Sequence, residues 1–347
     1  MASSVGSLSS SRSVRRGQPS SGIVTWVRQP DDRQGVQRSF VVRARVPDSP
    51  SMTSTTITAD GAGTWQLGDL TVNRLGLGAM RLTGSAAFDL GEPSDRTRSL
   101  QVLRRAVELG VNHIDTAAFY FSSLRSANEL ICSALAPYPD DLVIATKVGP
   151  GRDASGAWLP PARPDQLRGQ VEENLRQLGR DQLDLVHFRR MPSVTSVIEH
   201  VGALSDLRDA GLIRHIGISG VDVGHLDEAL SVAPVVSVQN RYGIGSGDDA
   251  REVLEACRAR GIAFVPFFAV AGQGAERGRS AAREDAEVLD IAAAHGTSPA
   301  QVRIAWTLQQ GPHVLAIPGT GDPAHVDENV AASALRLGAE EMDRLSA

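Results

Sequence analysis

Of the 35 basic residues in this chain, 34 are arginines and one, Lys147, is a lysine. A composition so biased retains a lysine where arginine cannot stand in for it. An ammonium is a compact point charge whose pKa can be moved, whereas a guanidinium stays protonated. Lys147 closes a short apolar run, Leu142-Val143-Ile144-Ala145-Thr146, and an earlier run, Val111-Asn112-His113-Ile114, closes on Asp115. Two neighbouring strands ending in opposite charges can hold an ion pair at their tips. Tyr120 follows Asp115 by five residues, on a loop that can fold back over that pair. A phenolate is favoured beside a lysine, so the Tyr120 pKa is expected to fall. Such a tyrosine exchanges a proton near neutral pH, which a free tyrosine does poorly. Taken singly, each residue has a plainer reading: a surviving surface lysine, or a tyrosine in an aromatic loop with Phe119 and Phe121.

The elements that must position these groups repeat at intervals of roughly thirty residues. Two short runs, 64–67 and 70–73, flank Gly68-Asp69 and read as a hairpin. A strand over 74–80 follows, and then a helix over 95–109 with Leu100, Leu103 and Val107 on one face and Gly110 as its stop. Strands ending at Asp115 and Lys147 are followed by helices over 126–135 and 164–178. Further strands are expected over 183–188, 215–219, 235–239, 262–267 and 314–317. Helices are expected over 194–210, 223–232, 249–260, 283–294, 298–309 and 324–332, with Pro299 in a first turn, where proline is tolerated. From Arg74 this makes eight strands alternating with eight helical segments. Short, continuously apolar strands are buried on both faces, as in a parallel sheet. Eight units in about 270 residues fit a closed (β/α)8 TIM barrel with an N-terminal β-hairpin. A doubly wound sheet would need a glycine fingerprint opening a helix after its first strand. Gly76-Leu77-Gly78-Ala79-Met80-Arg81 lacks the third glycine and no helix follows at once.

Residues 1–60 differ in character. Ser and Arg dominate 1–18, no acidic residue precedes Asp31, and Pro, Ser and Thr return over 47–58. Such a stretch buries little apolar surface and is expected to be a disordered tail, or the product of a start assigned upstream of Met52. It also has the superficial composition of a transit peptide, without the apolar periodicity. The barrel is expected over 61–347. The net charge of −5 gives no default attraction to nucleic acid. Cys132 and Cys257 lie far apart, with neither disulfide nor zinc spacing, and read as buried small residues. No run approaches 18 continuous apolar residues, so no membrane span is expected. The expected setting is cytoplasmic, and oligomeric state is left open.

In a barrel of this kind chemistry sits at the C-terminal strand ends. In order these are Gly78, Asp115, Lys147, His187 and Arg189, Ser219, Gln239, Phe267, and Gly319-Thr320. Any one of them could be capping a helix; capping alone does not make a polar ring closed by one aromatic.

This pattern resembles the aldo-keto reductase family from Thr64 to the C-terminus. The resemblance is carried by the hairpin with LGLGAM, then GVNHIDTAAFY, ANELICSAL, LVIATKVG, GLIRHIGISG, VVSVQNRY and IPGTGDPAHVDENVAA. A DTAxxY stretch with a downstream ATK is the specific part. The resemblance implies an NADP-dependent reductase that passes hydride from the nicotinamide to an aldehyde or ketone carbon. Tyr120 is then the proton donor, Lys147 tunes it and Asp115 holds Lys147. The family usually has a histidine where this chain has Arg189, and His187 lies two residues earlier. Strand alternation puts both inward with Arg189 nearer the mouth. Arg189 could polarise a carbonyl oxygen, bind an acidic substrate group, or pair with a carboxylate at the rim. The sequence around it, FRRM, resembles the pyridoxal-reductase-like branch and makes pyridoxal a candidate substrate.

For the cofactor, the resemblance implies a site made by Gly78 and Met80, with Ser219 and Gln239 at the positions that hold the carboxamide. Phe267 stands where an aromatic stacks on the nicotinamide, and Gly319, Thr320, His325, Glu328 and Asn329 fall in the adenosine-phosphate segment. Gly220 replaces the usual asparagine after the serine. Gly319 and His325 stand where Lys and Arg are common, which leaves NAD possible beside NADP. No metal is implied. The alternative is a cofactor-binding regulatory protein of the same fold with little turnover; a barrel hydrolase or isomerase would need a metal cluster or phosphate loop, and neither is evident. Substrate choice is expected in the loops over 149–163, 189–194, 242–248 and 269–280, the last two glycine-rich and expected to be mobile until cofactor binds.

Overall fold

The computed structural model describes residues 56–85, 88, 90–270 and 285–346. The expected segments before residue 56 and over 271–284 lie outside the described residues. Strands β1 (Thr64–Leu67) and β2 (Leu70–Asn73) form the expected antiparallel hairpin. Seven further strands pair in parallel in chain order: β3 (Leu77–Gly78), β4 (His113–Asp115), β5 (Val143–Val148), β6 (Leu183–Arg189), β7 (Ile213–Ser219), β8 (Ser237–Gln239) and β9 (Ala263–Phe264). Residues 314–319 close the ring. They bridge to β9 through Phe264 and Val314, and to the first strand through Leu75 with Ala316 and Gly78 with Gly319. The fold is therefore the (β/α)8 barrel with its N-terminal hairpin.

The helices are α1 (Arg96–Glu108), α2 (Ala127–Leu135), α3 (Leu167–Leu178), α4 (Ile198–Asp209), α5 (Val223–Val232), α6 (Asp248–Arg260), α7 (Ala286–His295), α8 (Pro299–Gln309), α9 (Pro323–Ala331) and α10 (Ala339–Ser346). Their starts follow capping chemistry. Asp95 accepts from Arg98 N, Ser126 from Glu129 N and Asp222 from His225 N. Ser298 and Gln301 form a reciprocal box around Pro299.

Strand alternation sorts the barrel into two packings. Outward residues such as Ile114, Ile144, Val186, Phe188, Ile218 and Val238 pack with the helices. Inward residues Val143, Ala145, Leu185, Ala263, Val265 and Leu315 form a separate apolar floor with Leu67 and Val72 of the hairpin. The hairpin thus plugs the N-terminal end and leaves the polar strand ends at the other.

Three expectations are corrected, and one element is added. The first barrel strand is only Leu77–Gly78, because the chain turns at once into a 3-10 helix over Ala79–Thr83. α4 begins at Ile198, not 194, since Val194 N turns back to Met191 O after Pro192. The barrel takes in residues before 61: Ala59–Ala62 is a 3-10 helix with Ala59 and Ala62 buried, held by Ala59 N to Leu109 O at 2.8 Å and Ser333 Oγ to Thr58 O at 2.9 Å. The amphipathic C-terminal helix α10 was not anticipated; its Leu345 is buried and Trp306 Nε1 donates to Ser346 Oγ at 3.2 Å.

Candidate active site

Parallel register sets the depth of each inward side chain. Lys147 pairs with His187, and Arg189 with Ser219, which in turn pairs with Gln239. Directly paired residues point to the same face. The polar strand ends are therefore staggered: Asp115 is in register with Ala145, Lys147 with His187, and Arg189 with Ser219 and Gln239.

At its centre Lys147 Nζ donates to Asp115 Oδ1 at 2.8 Å, to Asp115 Oδ2 at 2.7 Å and to Thr116 O at 2.9 Å. Three ammonium protons meet three acceptors. Gln239 Nε2 donates to Asp115 Oδ1 at 2.7 Å. The ion pair is almost sealed, with side-chain exposures of 5% and 6%. A second polar network behind β4 and β5 holds this turn. Thr116 Oγ1 and Asn128 Oδ1 are 2.8 Å apart, Asn128 Nδ2 donates to Asn174 Oδ1 at 2.9 Å, and Thr146 Oγ1 donates to Asn174 Oδ1 at 2.6 Å. Asn128 and Asn174 are wholly buried, and polar side chains so placed need partners.

Tyr120 sits on the loop after β4, its ring 4.9 Å from Lys147 Nζ and packed by Phe119 at 5.1 Å and Phe88 at 6.0 Å. Arg152 fastens this loop. Its Nη1 donates to Phe119 O at 3.2 Å and Phe121 O at 2.9 Å, and its Nη2 to Phe88 O at 3.0 Å. The expected fall in the Tyr120 pKa is corrected: it is raised. Burial disfavours the phenolate by more than the Lys147 charge and hydrogen bonding favour it, and Asp115 adds to the rise. The Lys147 ammonium is itself held charged, because Asp115 and Tyr120 outweigh the opposing effect of burial.

Arg189 lines the same cavity. Its Nη1 donates to Ser219 Oγ at 3.1 Å and its guanidinium lies 4.9 Å from the Phe267 ring centre. Gly220 has φ +73°, and a Cβ there would stand 2.8 Å from Arg189 Nη1. The glycine thus makes room for the arginine. His187, two residues down the strand, lies about 6–7 Å deeper. It is buried, with Nε2 3.0 Å from Ser237 Oγ, and burial pushes its pKa down to about 3. It faces inward and is not among the residues that line the cavity.

The cavity measures about 390 Å³ and is walled by Gly78, Met80, Tyr120, Lys147, Ser219 and Gln239 among others. Phe267 and Gly319 also line it, whereas Thr320, His325, Glu328 and Asn329 do not. Thr320 precedes α9, and His325, Glu328 and Asn329 lie within it: Thr320 Oγ1 lies 3.3 Å from His325 Nδ1, Glu328 O accepts from Gln301, and Asp322, which caps α9, pairs with Arg98. One feature suits a dinucleotide carboxamide: Gln239, on the cavity wall with Ser219, has a buried Oε1 with no hydrogen-bond partner among the described residues. At Gly319 a Cβ would come within 2.9 Å of Gly78 O, so the absence of a side chain lets this segment pack closely on the first strand.

Sequence reasoning missed Phe88, Trp158, Met191 and Phe268, which complete the wall, and Arg152 behind it. Their position in loops after strands was the available signal. A larger cavity, about 1290 Å³, lies between α2, α3 and the loop 149–163. Among the described residues no group of three or more His, Cys, Asp or Glu could hold a metal, and no helix is long and apolar enough to cross a membrane.

The chain matches the aldo/keto reductase family over residues 74–347. It is 42% identical over 291 residues to pyridoxine 4-dehydrogenase of Escherichia coli (strain K12), covering 82% of this chain and 97% of that protein. Among solved structures it is similar to the thermostable aldo-keto reductase Tm1743 in complex with the inhibitor epalrestat, at 30% identity and a TM-score of 0.68, covering 82% of this chain and 98% of that one. It is also similar to an aldo-keto reductase from Klebsiella pneumoniae in complex with NADPH, at 26% identity and a TM-score of 0.64, covering 79% and 90%. Sealed ion pair, closed barrel and a match along nearly all of the barrel agree, and the chain belongs to the aldo/keto reductase family.

Proposed function

We propose that this protein is an NADP(H)-dependent oxidoreductase that reduces an aldehyde or ketone to an alcohol, with pyridoxal a candidate substrate. The observation that carries the reading is the sealed Lys147–Asp115 pair beside Tyr120 in a cavity that Gln239 also lines. NADPH, when bound, supplies the hydride to the carbonyl carbon. Ser219 and Gln239 would hold its carboxamide and Phe267 would pack against its ring, with Gly78, Met80 and Gly319 beside them and Thr320, His325, Glu328 and Asn329 assigned to its adenosine end.

Tyr120 gives its phenolic proton to the carbonyl oxygen as negative charge develops there. Lys147 stabilises the phenolate left behind, and Asp115 and Gln239 fix the ammonium in place. Arg189 turns N–H groups into the same cavity and polarises the carbonyl. Support for pyridoxal comes from the pyridoxine 4-dehydrogenase relative, and support for NADP from the relative crystallised with NADPH.

The test is NADPH consumption by the purified protein against a panel of aldehydes that includes pyridoxal, beside Tyr120→Phe. The native protein is expected to turn over, and loss of the phenol to lower the rate about 10²–10⁴-fold with NADPH binding retained. Tight NADPH binding without turnover on any carbonyl would instead support a regulatory role. Turnover untouched by Tyr120→Phe would remove that residue as proton donor.

A further inference from the structure

Arg189 carries five N–H donors, and one protein acceptor, Ser219 Oγ, meets it among the described residues. No carboxylate pairs with it there. The carboxylate on the cavity wall, Asp115, is already bonded to Lys147 and Gln239. The neighbouring Arg190 turns away to Gly220 O at 2.9 Å and Val194 O at 2.8 Å. Lys147 and Arg189 against one carboxylate leave this part of the wall cationic, and a partly buried cation without a counter-ion favours an anionic ligand group. The guanidinium is also fixed in orientation: Ser219 holds one end, Phe267 flanks it, and Gly220 lacks the Cβ that would push it aside. A held planar fork suits two oxygens side by side. The wall also carries the aromatic rings of Phe88, Phe119 and Trp158, beside aliphatic residues such as Met191 and Ile317.

We propose that Arg189 recognises an ionised oxygen next to the carbonyl, so that the preferred substrates are aromatic aldehydes with a phenolate ortho to the aldehyde. This rests on the reductase reading above and adds a substrate class to it. One N–H of the fork meets the carbonyl oxygen and its neighbour meets the phenolate. Pyridoxal, whose aldehyde is flanked by a phenolic oxygen, is one member of the class, and its hydroxymethyl group and ring nitrogen are not required.

The experiment compares 5-nitrosalicylaldehyde, whose phenol is ionised near neutral pH, with its ether, 2-methoxy-5-nitrobenzaldehyde, and with benzaldehyde. NADPH consumption is measured for the native protein and for Arg189→Gln. The native kcat/KM is expected to favour the phenolate over the ether by about tenfold or more, as a charge-assisted hydrogen bond supplies. That ratio should fall to near one in Arg189→Gln. If the variant does not fold, judged by circular dichroism and NADPH binding, the native preference and its loss on lowering the pH until the phenol is protonated decide the matter. A native ratio of one or less, or a ratio unchanged in folded Arg189→Gln, overturns the proposal and leaves the reductase reading intact. So does turnover of benzaldehyde without turnover of the phenolate. Turnover of no carbonyl at all, with NADPH bound, removes the reductase reading and this proposal with it.

Discussion

Replacing Lys147 by methionine keeps the aliphatic stem and deletes the ammonium, which isolates the charge from the packing. Asp115 then stays in a pocket where its side chain is 6% exposed, with Gln239 as its remaining partner. Breaking one side of a buried ion pair costs about 3–5 kcal/mol because an uncompensated charge is left behind. Lys147→Met is therefore expected to lower the free energy of unfolding by about that amount. Adding Asp115→Asn removes the stranded carboxylate, and the double variant should recover at least about 2 kcal/mol of the loss while remaining inactive. Urea unfolding of the four proteins of the cycle gives the coupling, and NADPH consumption gives the activity. Lys147→Arg is expected to be as inactive as Lys147→Met: three acceptors ring a three-proton donor, and a planar five-donor fork does not fit that cage. A single-variant cost below about 1 kcal/mol, the size of a surface pair, would refute this account of the pair. Full activity of Lys147→Arg would refute the explanation of why one lysine persists among 34 arginines.

The remaining expectations concern pH and the residues around the site. Burial holds His187 down at about 3 and His113 at about 4, below the ordinary 6.5. The unfolded chain therefore binds more protons between those values, and stability present above pH 6.5 is lost as pH falls, by up to about 1.4 kcal/mol per pH unit for each histidine. Urea unfolding across pH 4–6.5 should show a shallower slope in His187→Asn than in the native protein, and equal slopes would sink the assignment. Tyr120 and Lys147 are both raised, so their contribution is complete below about pH 10 and fades above it, visible as a falling melting temperature under alkali that Tyr120→Phe reduces. Gly220→Ala combines a φ of +73° with a Cβ 2.8 Å from Arg189 Nη1; it should cost about 1–2 kcal/mol and lower kcat/KM by displacing the arginine. Arg152→Ala releases the carbonyls of Phe119, Phe121 and Phe88, and is expected to lower kcat while NADPH affinity, measured by fluorescence, holds; an unchanged kcat would mean that the Tyr120 loop positions itself.

What could be read from the chain follows from which residues carry local signals. Strand after strand ends in a polar residue flanked by apolar ones, so Asp115, Lys147, Ser219 and Gln239 are visible as strand ends before any coordinates. The alternation that puts Lys147 inward puts Ile144 and Val148 outward, and both sets lie where the period of two places them. The third dimension of the site was not legible. Nothing in the sequence says that Gln239 reaches across to Asp115, or that Asn128 and Asn174 meet behind β4 and β5, because those pairs are separated by 124 and 46 residues. Arg152 reads as one arginine among many in a glycine-rich loop; its role lies in three backbone carbonyls it happens to face. His187 and Arg189 share a face and a motif, yet two steps along a strand separate a side chain on the cavity wall from one sealed beneath it.

The Tyr120 pKa shows why proximity alone misleads. A lysine beside a tyrosine lowers the phenol's pKa if the ammonium's field is free, but here the same ammonium is engaged by both oxygens of Asp115. At the phenol Asp115 opposes part of the effect of Lys147, and burial, the largest influence, decides the sign. The result is a tyrosine that stays protonated at neutral pH, which is the form a proton donor to a carbonyl must have. The cost of forming its phenolate has to be met in the transition state, when negative charge builds on the carbonyl oxygen. Arg189, which no carboxylate pairs among the described residues, lines the same cavity, and its charge also favours the Tyr120 phenolate. On the proposed reaction, then, Lys147 is the main group that favours the Tyr120 phenolate, Asp115 opposes part of that effect, and Arg189 adds a smaller one from the same cavity. On that reading the arginine contributes to the site, and the small residue at 220 leaves room for it.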